Sequence, residues 1–213
     1  MHLFQTAKDS LASIASALLG VCITTSVAAA MSDTDRTKAI DVANTVSWVQ
    51  PRAPLADAHP LQIQTLSIEK DEQKKNKQSQ RARVYQFHYD IQQSRLVLID
   101  LPTASVVSTH TIDSVHLPLN ANEIAMARKL VEADQTIMQK MAKEYARRAS
   151  VSLTDLSMID VKASIFEPSN NAHICATQRC ALLSLFDQTH TVFAVEPLVN
   201  LQRLSVTTLR NHP

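Results

Sequence analysis

The chain has 213 residues, 45% hydrophobic, 19% charged and 4% aromatic, and its 21 basic and 20 acidic side chains leave a formal net charge of +1. So even a balance argues against a general nucleic-acid binder, and the apolar fraction is large enough to bury a core. The single glycine, Gly20, excludes the phosphate-cradling loop, the dinucleotide fingerprint and the nucleophile elbow, because each needs a backbone that a Cβ would obstruct.

Residues 11–30, LASIASALLGVCITTSVAAA, carry no charge and follow a leader with Lys8 and Asp9. This segment reads as a signal peptide, with Ala28 and Ala30 at the two positions a signal peptidase inspects and Met31 as the new terminus. Two alternatives stand beside it. The uncharged run 10–32 is long enough to anchor the chain in a bilayer, for which roughly 20 residues are needed. Leu19-Gly20-Val21-Cys22 resembles a lipoprotein cleavage box, with valine where a small residue is required. Export places residues 31–213 in the periplasm or outside the cell, where disulfides persist. Cys175 and Cys180 are the two cysteines left there, and an even count in an exported domain makes an intramolecular bridge the leading reading. Closing so short a loop is worth on the order of 2 kcal/mol in the chain-entropy model.

Residues 31–60 read as a short amphipathic helix over 33–46 and a linker marked by Pro51, Pro54 and Pro60. Residues 61–213 read as one α+β domain. Its first strands are 61–69 and 83–91, joined by a polar run, 70–83, with six basic and two acidic side chains. That run is a solvated hairpin tip, the alternative being a patch for an anionic partner. Residues 95–101 and 104–112 give two more strands around Pro102. At Asn120 a helix starts, with Glu123 placed to complete a capping box. Ile124, Ala127, Leu130, Val131, Ile137, Met138, Met141 and Tyr145 then recur at three and four, forming one apolar stripe. Asp134 falls inside that stripe, so the element is one long helix or two that bend at Ala133-Asp134. Strands follow over 158–166, 179–186, 191–196 and 201–209, with turns at Glu167-Pro168, Asp187-Gln188 and Pro197. The expected fold is an antiparallel sheet covered by a long helix.

Leu96-Val97-Leu98-Ile99-Asp100-Leu101, Val106-Val107-Ser108 and His116-Leu117-Pro118-Leu119-Asn120-Ala121-Asn122-Glu123-Ile124 resemble the small N-terminal domains of copper amine oxidases, over about residues 82–205. In those domains a strand ending in Asp precedes a turn, a second strand and a Pro-Leu-x-x-x-Glu-Ile helix start. The resemblance implies a cystatin-like fold in a module that is not itself catalytic. The oxidases also carry an Asn-Tyr-Asp/Glu motif, which yields their quinone, and a His-x-His pair for copper. Tyr85, Tyr89 and Tyr145 lack a preceding asparagine, no two histidines stand two apart, and amine oxidation is not carried over.

Two groupings could hold chemistry. His173, Cys175 and Cys180, joined by His190, offer thiolate and imidazole ligands suited to copper(I) or zinc, the alternative being the disulfide. His88, His110 and His116 lie near Asp90, Asp100 and Asp113, with Ser105, Ser108 and Ser114 close in sequence, the components of a His-Asp pair for acid-base work. Trp48 is read as packing on the main domain, and Met126, Met138 and Met141 as core. The expected function is therefore an exported, non-catalytic module that binds a protein in the cell envelope and takes no cofactor. Nucleic acid is not expected as a partner, nor is a membrane except through an uncleaved N-terminus. The rival is a periplasmic metal-handling protein or small hydrolase-like enzyme built on one of the two groupings.

Overall fold

A computed structural model describes residues 31–48, 58–71, 80–149 and 151–209, all within one compact unit. The segment 1–30, with Ala28, Ala30 and Cys22, lies outside the described residues, as do linker positions 49–57 and the middle of the polar run, 72–79.

The class is α+β. Helix α1 (Asp33–Thr45) precedes four strands, β1 (Ile63–Lys70), β2 (Arg81–His88), β3 (Gln93–Asp100) and β4 (Ser105–Ile112), which form an antiparallel meander in chain order. Helices α2 (Ala121–Ala133) and α3 (Gln135–Ala146) follow. A second meander is built from β5 (Asp160–Ile165), β6 (Cys180–Phe186), β7 (Pro197–Asn200) and β8 (Ser205–Thr208). The single sheet expected from the pattern is thus two four-stranded sheets.

Strand alternation assigns the layers. Ala82 and Val84 of β2 face the same side as Val97 and Ile99 of β3, and on them lie Ala39 and Ala43 of α1, all six fully buried. Two alanines four apart give α1 a narrow seam that lets its backbone approach the sheet closely. Ser32 caps the helix by accepting from Asp35 N at 3.1 Å, and Lys38 Nζ ties it to the Leu101 carbonyl at 2.5 Å. The larger core joins Leu66, Phe87 and Tyr89 from the first sheet to Ala127, Val131, Ile137 and Met141 of α2 and α3. It closes on Ala181, Leu183 and Leu185 of β6 and Val199 of β7. Met126 and Met138 pack partly buried against it.

The long helix is broken. Asp134 leaves the helical region with φ −83° and ψ 98°, its N–H bonds Leu130 O and Val131 O at 3.2 Å, and its Oδ1 accepts from Ile137 N at 2.9 Å. One residue therefore ends α2 and caps α3, which takes its carboxylate out of the apolar stripe.

The segment 191–196, expected as a strand, touches β6 only through the bridge from Phe186 to Val192. Glu144 of α3, 4% exposed, takes its amides instead: Ala194 N donates to Oε1 at 2.7 Å and Val195 N to Oε2 at 3.3 Å. Strand pairing resumes at Pro197, which begins β7 rather than a turn, as a proline at the first residue of a strand can.

The near absence of glycine leaves a visible trace. Three hairpins are closed by four residues each, and the last residue of each turn is left-handed: Gln92 (φ 53°), Ala104 (φ 50°) and Leu204 (φ 52°). An L-residue there is strained by roughly 1 kcal/mol, which glycine avoids at some entropic loss. Ala104→Gly is accordingly expected to raise stability by about 0.5 kcal/mol in chemical denaturation, a sign opposite to that of glycine at an ordinary position.

Candidate functional site

The most concentrated polar chemistry in the fold is buried where the two sheets meet the start of α2. Arg179, fully buried just before β6, donates Nε to Glu123 Oε1 at 2.8 Å and Nη2 to Glu123 Oε2 at 2.9 Å. Nη1 donates to the carbonyls of Val115 at 2.7 Å and Leu117 at 3.1 Å, and Nη2 to that of Pro118 at 3.2 Å. All five N–H groups of the guanidinium are used. The guanidinium also lies 5.3 Å from the ring centre of Phe87. Glu123, equally buried, accepts the Tyr89 hydroxyl at 2.5 Å and the Asn120 amide at 2.9 Å, while Asn120 Oδ1 accepts Glu123 N at 2.9 Å. The capping box read from sequence is therefore one wall of a larger network. Burial beside the Glu123 carboxylate pushes the Tyr89 phenol far above its usual range, so it stays a donor. The group joins β2, α2, the loop 115–118 and β6, and every donor in it is satisfied within the protein.

A second buried cation works the same way. Arg95 of β3, 3% exposed, donates to the carbonyls of Ala43 and Val46 at 3.0 Å and twice to Gln86 Oε1 at 2.8 and 2.9 Å. Its guanidinium carbon lies 3.7 Å from the ring centre of Trp48, which meets His88 edge-on at 5.2 Å. Trp48 thus packs, half-buried, on the main domain.

His59 closes the far end. Its Nε2 donates to Leu201 O at 2.8 Å, Nδ1 accepts Leu61 N at 3.1 Å, and its ring stacks on Tyr89 at 4.4 Å. Burial lowers its pKa from the ordinary 6.5, against the opposing pulls of the Leu201 carbonyl and Asp90. The fold therefore favours neutral His59. Its contribution to stability is complete above the unfolded value and is lost as pH falls through the lower folded value. Melting temperature should fall on acidification from about pH 7 to about pH 5, and His59→Gln should flatten that fall; an unchanged slope would assign it to other groups.

The histidines near Asp90, Asp100 and Asp113 do not converge. His88 meets Trp48, His110 is exposed on β4 opposite Leu96, and His116 donates Nε2 to Cys175 O at 2.9 Å. Asp100 is bound by Thr103 through hydroxyl and amide, which together with Arg81 and Lys38 hold its carboxyl below the usual range. Ser105 and Ser108 lie on β4, and Ser114 Oγ accepts His116 N at 3.2 Å. Asp90, Ser94, Asp113, Ser114 and His116 do line an open cleft of about 630 Å³, with Ala176 and Thr177 opposite. Ser94 Oγ, however, donates to the Ser114 carbonyl at 2.5 Å.

Cys175 and Cys180 are joined at 2.02 Å, 1% and 0% exposed, and pack with Leu198, Phe166 and Leu182 on the outer face of the second sheet. His173 Nδ1 accepts Cys175 N at 3.1 Å, and His190 is exposed beyond β6. Among the described residues no group of three or more His, Cys, Asp or Glu is placed to hold a metal ion, and no helix is long and apolar enough to cross a membrane. A buried disulfide is the chemistry of an oxidising compartment.

Sequence reasoning missed Arg179 and Arg95. The signal was faint: each is a lone arginine at the edge of an apolar strand run, and nothing local announces the partner, 56 residues away for Glu123.

No family model and no curated protein matches the chain. Among solved structures it is similar to part of a copper-containing benzylamine oxidase from Hansenula polymorpha, at 11% identity and a TM-score of 0.45. The match covers 75% of this chain and 30% of that one.

Proposed function

We propose that the protein is an exported, non-catalytic binding module that docks a protein partner in the cell envelope. The observation that carries this reading is β4, an edge strand exposed along most of its length, with Val106 and Val107 40% and 44% exposed. The interior supports it, because Arg179, Glu123, Tyr89 and Arg95 are all committed to joining elements. The residue pattern shared with small accessory domains of amine oxidases points the same way. The rival, metal handling at His173, Cys175, Cys180 and His190, needs two thiolates where the sulfurs are bonded to each other.

Native mass spectrometry of protein taken from cell envelopes, with crosslinking, tests it. A start at Met31, a gain of two hydrogens on reduction and enrichment of a defined partner are expected. A monomer that enriches no protein, or one carrying stoichiometric metal with both thiols reduced, would overturn the reading.

A further inference from the structure

The four sheet edges are not equivalent. At β1 the Thr65 carbonyl accepts Asn120 Nδ2 at 2.9 Å, a bulge falls between Thr65 and Ser67, and Glu69 and Lys70 sit at the end. β5 exposes Asp160 and Lys162, and β8 has only four residues. Short length, charge, bulges and covering groups are the devices that keep an edge from pairing with another chain. β4 has few of them. Its sequence, Ser-Val-Val-Ser-Thr-His-Thr-Ile, contains no charged residue and no proline over eight residues. Its one irregularity sets two valines, Val106 and Val107, against Ile99 near the Ser105 end, and Ser108 to Ile112 pair regularly with β3.

An edge ladder is filled by another extended strand, and the absence of charge favours one occupant in particular. An antiparallel copy of β4 meets no like charge anywhere along the strand, whereas a charged strand facing itself is destabilised. Alternation permits a face-matched register about Thr109. Ser108 and His110 lie on one face, opposite Leu98 and Leu96, and Thr109 lies on the other, opposite Val97. A two-fold axis through Thr109 then sets Thr109 against Thr109 of the second copy, and Ser108 against its His110, hydroxyl facing hydroxyl and hydroxyl facing imidazole. Strand addition of this kind draws affinity from main-chain hydrogen bonds. We infer that β4 pairs antiparallel with β4 of a second copy, joining the two first sheets into one of eight strands. The inference deepens the protein-binding reading and rests on it, naming the edge and its occupant.

The test is sedimentation of the purified protein over a wide concentration range, alongside Val107→Lys and Thr109→Lys. Lysine on an exposed edge leaves the fold intact; at position 109 it meets its own copy across the two-fold axis as a like charge, and at position 107, which faces Thr111 of the second copy, it puts a charge on the paired edge. The wild type should associate reversibly, and each lysine should weaken association at least about tenfold with melting temperature unchanged. Thr109→Cys should form a covalent dimer on mild oxidation, and Val151→Cys, at a site 56% exposed, should not. A wild type that stays monomeric overturns the inference. If that monomer still captures an envelope protein, the binding reading survives without the homodimer. A dimer indifferent to both lysines overturns it too, by placing the contact elsewhere.

Discussion

Arg179→Ala is expected to destabilise the protein by about 3 to 5 kcal/mol, the range for breaking a buried ion pair from one side. The number is large because the substitution does three things at once. It leaves the Glu123 carboxylate charged and enclosed, it strips partners from the carbonyls of Val115, Leu117 and Pro118, and it opens a void beside Phe87. Against a total stability of about 5 to 15 kcal/mol for a domain, that is enough to unfold a fraction of the molecules at growth temperature. Tyr89→Phe, which removes one hydrogen bond to the same carboxylate, should cost about 1.5 to 3 kcal/mol. Replacing both charges, Glu123→Leu with Arg179→Met, should cost much less than the sum of the single changes, because no charge is stranded. Urea denaturation of Arg179→Ala, Tyr89→Phe, Glu123→Leu, Arg179→Met and the double variant measures this. If Arg179→Ala costs under about 1 kcal/mol, the network is not what holds the two sheets together.

That network also marks where the sequence stops being informative. Strands β1 to β4 were legible because hydrophobic residues cluster between turn residues, and the start of α2 because Asn120 and Glu123 are three apart, a local signal. The break at Asp134 was visible as a carboxylate inside an apolar stripe, although only the backbone decides between a bend and an unbroken helix. Failure began where one side chain reached across the fold. Residues 191–196 carry strand-forming valines and phenylalanine, yet Glu144, some fifty residues earlier, captures the amides of Ala194 and Val195, and pairing with β6 stops at one bridge. The same holds for the candidate site. His116 and Cys175 are distant in sequence and are brought together by a ring nitrogen and a carbonyl, an architectural contact where proximity to Asp113 had suggested acid-base chemistry. The two cysteines needed no such reach, since their bond joins positions five apart, Cys175 and the first residue of β6.

Arg95 allows the second large effect to be read at a single chromophore. Burial pushes its pKa down to about 10, so it stays cationic at neutral pH, and its donors go to Gln86 and to the carbonyls at the C-terminus of α1. Those carbonyls lie at the negative end of the helix dipole, past the regular ladder, with Ala43 O also accepting the Val46 N–H at 3.2 Å, which makes a guanidinium there both a cap and a counter-charge. Arg95→Ala should cost about 2 to 4 kcal/mol, with α1 as the element that loosens, since what still holds it is the alanine seam with Val42 and Val46 beside it, Lys38, and the bond from Gln86 Nε2 to Asn44 Oδ1 at 2.9 Å. Arg95→Lys should rescue little, because an ammonium cannot reproduce the planar fork that reaches Ala43, Val46 and Gln86 together. Trp48, the only tryptophan, lies on the Arg95 guanidinium and reports the local event directly. In Arg95→Ala its fluorescence should shift to the red at lower denaturant than the loss of strand circular dichroism, splitting one transition into two. Coincident transitions at the wild-type midpoint would mean that α1 does not depend on Arg95.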